Sequence, residues 1–458
     1  MKKIILLLLV FLSQQIYCQN VVDGYWLDTV HLQSFDLRLV LQIETKDSIL
    51  HVNMYSIDQT QQAIPASSVK LQQDTILVGF KSINAKCKLV YQAKEDRLQG
   101  EFKQGTTFPL SMTRVSEVPV LKRSQTPQAP YPYKREELKI GGKKKDPQIA
   151  ATLTIPQEDN PYVVVLIPGS GPNGRTTKIS GHDYYAVLAD LLSRKGIAVL
   201  YYDKRGIGDS EGDYMSATTF DFYDDACRLV KYLQKDKRFA SNKIGVVGHS
   251  EGGEIATMMA ANKRMNLSYA ILMAAPVQQG SDLLVSQVEA LLRAEQIGED
   301  TIQAFVNQQQ FIENLLLKYK ENTLKYAQQE IDKHVKSLDT MDIELYLWQN
   351  YTPLQLSSSL SAWLLTFISL NPHSYFARLQ CDVLALNGDK DVQVPPFNIE
   401  MMKEVAPKNK LTTAICAGKN HLFQTCEIGS PREYGYISET ISEEIVDMIV
   451  NWIKGLNR

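Results

Sequence analysis

Five runs of four to six consecutive apolar residues constrain this chain most: residues 162–167, 197–202, 244–247, 269–273 and 383–386. A strand buried on one face alternates apolar with polar side chains, so a continuous apolar run requires burial on both faces. Amphipathic helical stretches separate the runs, which is the pattern of a mostly parallel sheet covered by helices on both sides. One stretch breaks the alternation. Residues 278–372 carry Gln, Glu, Lys and Leu at helical spacing without a convincing strand, and Ile312, Leu315, Leu316 and Tyr319 share one helical face. A helical insertion between the sixth and seventh strands of the sheet is expected there, and no internal repeat is evident.

The chain is 458 residues long, too long for one ordinary core, and its texture changes once. Residues 25–114 form short segments of period two, such as Leu37-Arg38-Leu39-Val40-Leu41-Gln42-Ile43, with polar turns at Lys46-Asp47-Ser48 and Lys94-Glu95-Asp96. That pattern predicts an all-β domain of about eight strands, as a small barrel or a sandwich. Pro119, Pro127, Pro130 and Pro132 then stiffen a connector that has few apolar residues. The domain reading is therefore an all-β domain over residues 19–118, a Pro-rich linker over 119–133 and a second domain over 134–458.

Ahead of these, Lys2 and Lys3 precede an unbroken apolar run over residues 4–12, followed by polar Ser13 to Gln15. Residues 1–18 read as a secretory signal peptide cleaved near Cys18. The run is far short of the roughly 20 residues of a membrane-spanning helix, so no integral membrane span is expected. Gln15-Ile16-Tyr17 lacks the small residues that precede a lipid-bearing cysteine, so simple export to the periplasm or beyond is expected over a lipoprotein. The remaining cysteines, Cys87, Cys227, Cys381, Cys416 and Cys426, are an odd set and no disulfide framework. Cys416 and Cys426 flank His421, and a clip between them stands beside the reading of two free thiols. No spacing resembles a zinc site, and no metal or organic cofactor is implied. With Lys and Arg at 49 against Asp and Glu at 51, there is no basic footprint for a nucleic-acid partner.

The chemistry concentrates where residues 244–247 run into Gly248-His249-Ser250-Glu251-Gly252-Gly253 and a helix-forming stretch follows. A serine on such a strand-to-helix turn sits on a strained backbone, and its neighbours two positions away must be small, as Gly248 and Gly252 are. The Glu251 N–H lies at the helix N-terminus, where anionic charge is stabilised, and supplies half of an oxyanion hole. Gly-x-Ser-x-Gly alone also describes a plain Gly-rich turn. Context separates the two readings. Pro168-Gly169-Ser170-Gly171-Pro172 follows an earlier strand, where the second N–H is required; Ser170 is the expected donor and Gly171 its rival.

A serine hydroxyl is a weak nucleophile and needs an imidazole base, which in turn needs an acceptor to hold its tautomer. Of the seven histidines, His31 and His51 belong to the β domain, His334 to the insertion, and His249 points its side chain elsewhere. His421 lies in a loop after an apolar run and before the final helix. His182 and His373 fit packing or rim positions. The acid belongs in Leu386-Asn387-Gly388-Asp389-Lys390-Asp391-Val392-Gln393-Val394-Pro395; Asp391 is the expected residue, with Asp389 a solvated or turn-stabilising one.

On these motifs, together with Tyr202-Asp203-Lys204-Arg205-Gly206-Ile207-Gly208-Asp209-Ser210, the chain resembles the α/β-hydrolase superfamily. Within it, the chain is similar to bacterial secreted serine esterases with a small N-terminal β domain, over residues 134–458 and, more weakly, 20–118. The order Ser250, Asp391, His421 is that of this superfamily. The resemblance implies an α/β-hydrolase fold with a helical lid over about 278–372, preceded by a small all-β domain. It further implies hydrolysis of a small-molecule or glycan-linked carboxylic ester, of short acyl length, through an acyl-enzyme on Ser250. Asp203 and Arg205 are then structural, holding their loop by ion pairing. Related esterases continue Gly-Ser-Gly-Pro with an acidic residue, where this chain has Asn173-Gly174-Arg175-Thr176, a departure at the floor of the pocket.

Two rivals follow from the same residues. A peptidase of the prolyl-oligopeptidase kind has the same triad order but brings a propeller of at least about four four-stranded blades, which roughly 95 residues cannot build. A binding protein on a hydrolase scaffold would not need the Ser250, Asp391 and His421 loops all intact.

Overall fold

The computed structural model describes residues 21–31, 36–57, 63–72, 74–119, 123–142, 146–158, 161–239, 243–319, 323–338, 347 and 361–456. The expected signal peptide and Cys18 lie outside the described residues. The chain divides into two compact units, Met1–Lys122 and Arg123–Arg458.

The first unit is one antiparallel sheet of nine strands: β1 (Gly24–His31), β2 (Asp36–Lys46), β3 (Ile49–Ser56), β4 (Ile64–Pro65), β5 (Ser68–Gln72), β6 (Thr75–Phe80), β7 (Ala85–Gln92), β8 (Arg97–Gln104) and β9 (Thr106–Val115). Their order is β4-β3-β2-β1-β9-β8-β7-β6-β5. The two edge strands are consecutive in sequence, and the residues between them bond to opposite edges: Ala66 N donates to Val52 O at 2.9 Å and Ser67 N to Gly79 O at 2.8 Å. One bent strand thus serves both edges and closes a barrel, which decides between barrel and sandwich. Alternate side chains, among them Trp26, Leu41, Met54, Ile76, Leu89, Leu98 and Met112, fill its interior.

The second unit is built on eight strands: β10 (Lys134–Ile140), β11 (Ile149–Ile155), β12 (Tyr162–Ile167), β13 (Ile197–Tyr202), β14 (Ile244–His249), β15 (Tyr269–Met273), β16 (Asp382–Gly388) and β17 (Leu411–Cys416). The order is β10-β11-β13-β12-β14-β15-β16-β17. The pairs β10–β11 and β11–β13 are antiparallel and the rest parallel. Three helices, α1 (Tyr184–Arg194), α2 (Thr219–Leu233) and α3 (Glu251–Ala261), follow β12, β13 and β14. The segment between β15 and β16 carries α4 (Gly280–Ala294), α5 (Glu299–Tyr319), α6 (Thr323–Ser337), α7 (Ala362–Ser369) and the short α8 (His373–Phe376), with no strand among the described residues. Among the described residues two more helices follow, α9 (Asn398–Val405) and α10 (Glu443–Gly455).

The continuous apolar runs serve two cores. Val163, Val165 and Ile167 of β12 pack with Leu229 of α2 and Ile255 of α3, while Val164 and Leu166 pack with Leu188 of α1 and Ile449 of α10. Ile312, Leu315 and Leu316 of α5 are buried with Leu283 and Phe367, and Tyr319 is partly buried against them. From Arg123 on, the Pro-rich stretch belongs to the second unit and is fastened to it. The Arg123 guanidinium donates to the carbonyls of Gly435 and Ile437, and the Gln125 amide bonds Thr440 and Ile441. Side-chain donors there replace the backbone N–H groups that proline lacks.

From β12 the chain moves out to β13 and returns to β14 on the other side of β12. Such a reversal opens a crevice beyond the carboxyl ends of β12 and β14. The Gly169–Ser170 loop follows β12 and Ser250 follows β14, so both stand at that crevice.

Candidate active site

Ser250 sits between β14 and α3 with φ 56° and ψ −122°, a region that disfavours any side chain. Its N–H donates to Met273 O at 2.9 Å, and its carbonyl accepts from Gly253 N and Glu254 N. The conformation is held by close backbone approach. A Cβ on Gly248 would lie 2.1 Å from the Gly252 carbonyl oxygen, and one on Gly252 2.1 Å from that of Ile167. Only glycine fits either place, and the turn that results lifts Ser250 clear of the sheet.

Asp391 and His421 come from the loops after β16 and β17 and meet in a buried pair, His421 Nδ1 to Asp391 Oδ2 at 2.8 Å. The other carboxylate oxygen of Asp391 accepts from the N–H groups of Gln393 and Val394, both at 2.9 Å. A carboxylate so held is a fixed acceptor, so the imidazole proton stays on Nδ1 and Nε2 keeps its lone pair. Asn420 shapes the His421 loop: its side-chain oxygen accepts from Leu422 N and Gln424 N, both at 3.0 Å. Asp389 stands apart, accepting from Gly418 N at 2.7 Å and Lys419 N at 3.3 Å, and does the work of a turn residue.

His249 has a place that its sequence neighbourhood did not indicate. Its ring lies 4.8 Å from that of His421, centroid to centroid, and its Nε2 bonds the His421 carbonyl at 2.9 Å. A carbonyl only accepts, so Nε2 carries the proton and braces the loop. Burial, and then the nearby His421, push the His249 pKa down to about 3, which keeps the ring neutral. His182 is fully buried, bonded to Thr440 Oγ1 at 2.9 Å and Tyr434 O at 2.8 Å, with its pKa lowered by burial to about 4. It is a packing residue.

Among the expected oxyanion donors, Glu251 N opens α3, and Ser170 lies on the loop beside Ser250. A Cβ on Gly169 would be 3.1 Å from that of Ser250. The Gly169 N–H is engaged by Tyr185 Oη at 2.7 Å, and its carbonyl accepts from Lys204 Nζ at 2.7 Å and Asn173 Nδ2 at 2.9 Å. In a trans peptide the next N–H points opposite to that carbonyl, so these two donors set the direction of the Ser170 amide. Asn173, at the departure from the related esterases, closes the loop on itself. Arg175 pairs with Asp203 at 2.9 Å, whereas Arg205 pairs with Asp221 and Asp225, both at 2.7 Å; each ion pair thus ties the Asp203–Arg205 loop to a different segment.

Ser250, His421 and Ser170 line one cavity of about 370 Å³. Leu283, Leu284, Trp363, Phe367 and Val394 form its apolar wall, and none of the described lining residues carries a charged side chain. The remaining link, from the Ser250 hydroxyl to His421 Nε2, is not closed among the described residues; one rotation about Cα–Cβ reorients the hydroxyl, and such bonds tighten when substrate fills the site. The arrangement brings a serine on a strained turn and an imidazole with a fixed tautomer to one cavity. Cys416 is buried and Cys426 half-buried, and both are free thiols, so no disulfide clips the His421 loop. Among the described residues no cluster of His, Cys, Asp or Glu is arranged to hold a metal ion, and no helix is long and apolar enough to cross a membrane.

The chain is similar to several known proteins. The family model described as serine aminopeptidase, S33, matches residues 179–424. Esterase EstD of Thermotoga maritima is 23% identical over 329 residues, 71% of this chain and 68% of EstD. A proline iminopeptidase of Thermoplasma volcanium is 34% identical over 91 residues, 20% of this chain and 29% of that protein. Among solved structures, proline iminopeptidase of Mycobacterium smegmatis matches 70% of this chain and 98% of its own, at 16% identity and a TM-score of 0.43.

Proposed function

This chain belongs to the serine aminopeptidase, S33, family of α/β-hydrolases, and we propose that within it the chain is a serine esterase, with Ser250 as nucleophile, His421 as general base and Asp391 as its orienting acid. The observation that carries the reading is the 2.8 Å bond between His421 Nδ1 and Asp391 at the wall of the cavity that Ser250 lines. His421 Nε2 takes the Ser250 proton as Oγ attacks the ester carbonyl, and the Ser170 and Glu251 amides stabilise the oxyanion. Collapse expels the alcohol, which receives the proton from His421. Water, deprotonated by the same imidazole, then adds to the acyl-enzyme and frees the acid and Ser250.

The insertion that carries α4 to α7 acts as a lid, with support from Leu283 and Leu284 of α4 and Trp363 and Phe367 of α7, which line the cavity. A small neutral cavity suits esters of short acyl groups. Export rests on the Lys2-Lys3 and apolar residues 4–12 pattern. A second reading, an aminopeptidase, is favoured by the family description and by the iminopeptidase relative. It requires an anionic group to hold the substrate ammonium, and the described lining residues offer none. Hydrolysis of nitrophenyl esters of graded acyl length, run beside aminoacyl nitroanilides and with Ser250→Ala, tests both. Short esters cleaved by the native chain and not by the variant support the esterase; turnover confined to the anilides replaces it with the peptidase.

A further inference from the structure

Lys204 and Glu251 are both buried, with side-chain exposures of 1% and 0%, and lie 3.1 Å apart. Neither belongs to the proposed triad. Taking two charges out of water is costly, and an apolar pair of the same size would stabilise the fold at least as well, so stability does not account for them. Their bonds lead to the site. Lys204 Nζ donates to the Gly169 carbonyl at 2.7 Å, which sets the direction of the Ser170 N–H. Glu251 Oε2 faces Lys204, while Oε1 accepts from Thr219 Oγ1 at 2.8 Å and from Trp363 Nε1 at 2.7 Å. Trp363 belongs to α7 of the insertion, stacks on Phe367 with ring centroids 5.3 Å apart, and lines the cavity.

We propose that Lys204 and Glu251 are positioning residues that set the Ser170 oxyanion donor, and that the Trp363 indole N–H couples the seating of α7 to them. With α7 seated, the carboxylate has a donor on each side and points Oε2 at Lys204, whose ammonium fixes the Gly169–Ser170 peptide. Once Trp363 withdraws, water reaches the ion pair, the Lys204 bond to Gly169 competes with solvent, and the Ser170 N–H loses its aim. A seated α7 therefore completes the oxyanion hole, and hydrolysis is strongest when substrate holds the helix over the cavity. The inference rests on the serine-esterase reading of the same site.

The test is steady-state hydrolysis of the best nitrophenyl ester by the native chain, Trp363→Phe, and the paired variant Lys204→Met with Glu251→Gln, which removes both charges together. Ser250→Ala sets the baseline, and inhibition by a trifluoromethyl ketone of the same acyl length reports on oxyanion binding. Trp363→Phe keeps an aromatic ring in the wall while removing the N–H and the pyrrole half of the indole. It is expected to lower kcat roughly tenfold with KM within about twofold, and to weaken the ketone by the same factor, with Tm within about 2 °C. The paired variant is expected to lose roughly 10²- to 10³-fold in kcat, as for loss of one oxyanion donor. A Trp363→Phe chain with unchanged kcat, with a change in KM alone, or with unaltered ketone affinity overturns the coupling, whether or not the paired variant folds. Hydrolysis abolished by Ser250→Ala but indifferent to Trp363→Phe removes the coupling and leaves the esterase; absence of Ser250-dependent hydrolysis removes both.

Discussion

At the scale of single residues, the proposed base and acid are each held in place by neighbouring groups. Asp391 is fixed by two backbone N–H groups, and His421 by Asp391 on one side and His249 on the other. Asp391→Asn would keep the size and the two backbone bonds but turn a donor towards His421 Nδ1. The imidazole proton would move to Nε2, where it cannot accept from Ser250. A fall in kcat of roughly 10⁴ with little change in Tm is expected, read from ester hydrolysis and a melting curve on the same preparation. A collapse of Tm with the same loss of activity would instead make Asp391 a structural residue.

At the scale of elements, α5 carries a conflict. Glu313 is buried among the apolar residues of the insertion, and burial raises its pKa to about 7, against one bond from Gln309 Nε2 at 2.6 Å that lowers it. In the unfolded chain this carboxyl titrates near 4.5. Between those values the native state binds more protons than the unfolded one, so the contribution is fully present below about pH 4.5 and is lost as pH rises through about 7. Glu313→Gln removes the titration. The variant is expected to be more stable than the native chain at pH 8 by about 1–3 kcal/mol, and close to it at pH 4.5, as measured by urea midpoints across the range. An equal difference at both pH values would assign the effect to packing.

At the scale of the whole molecule, the apolar clusters of the first unit and those of the second share no residue. The proposed site draws all its side chains from residues beyond 168. A chain of residues 123–458 is expected to fold alone and to keep ester kcat/KM within about threefold, and the full chain to show two calorimetric transitions. A fragment that aggregates, or a single transition in the full chain, would show that the units stabilise each other.

Much of this was legible without a structure, because its physics is local. The double burial of β12 to β16 is written in unbroken apolar runs. The Ser250 turn is written in glycines that a Cβ would destroy, and the His421 and Asp391 loops follow apolar runs that end in Gly and Asn. What escaped depends on partners far apart in the chain. Nothing in Asp203-Lys204-Arg205 marks Lys204 as buried, yet it lies against Glu251, 47 residues away, and Trp363 reaches the same carboxylate from 112 residues away. Arg175 as the partner of Asp203, His249 as the brace of His421 and the bent strand that closes the barrel are of the same kind. Sequence periodicity reports which faces are buried and which turns are strained, because those demands act within a few residues. Which charge meets which, and which strand edge finds which, follows from the packing that brings distant segments together, and only the tertiary structure decided it.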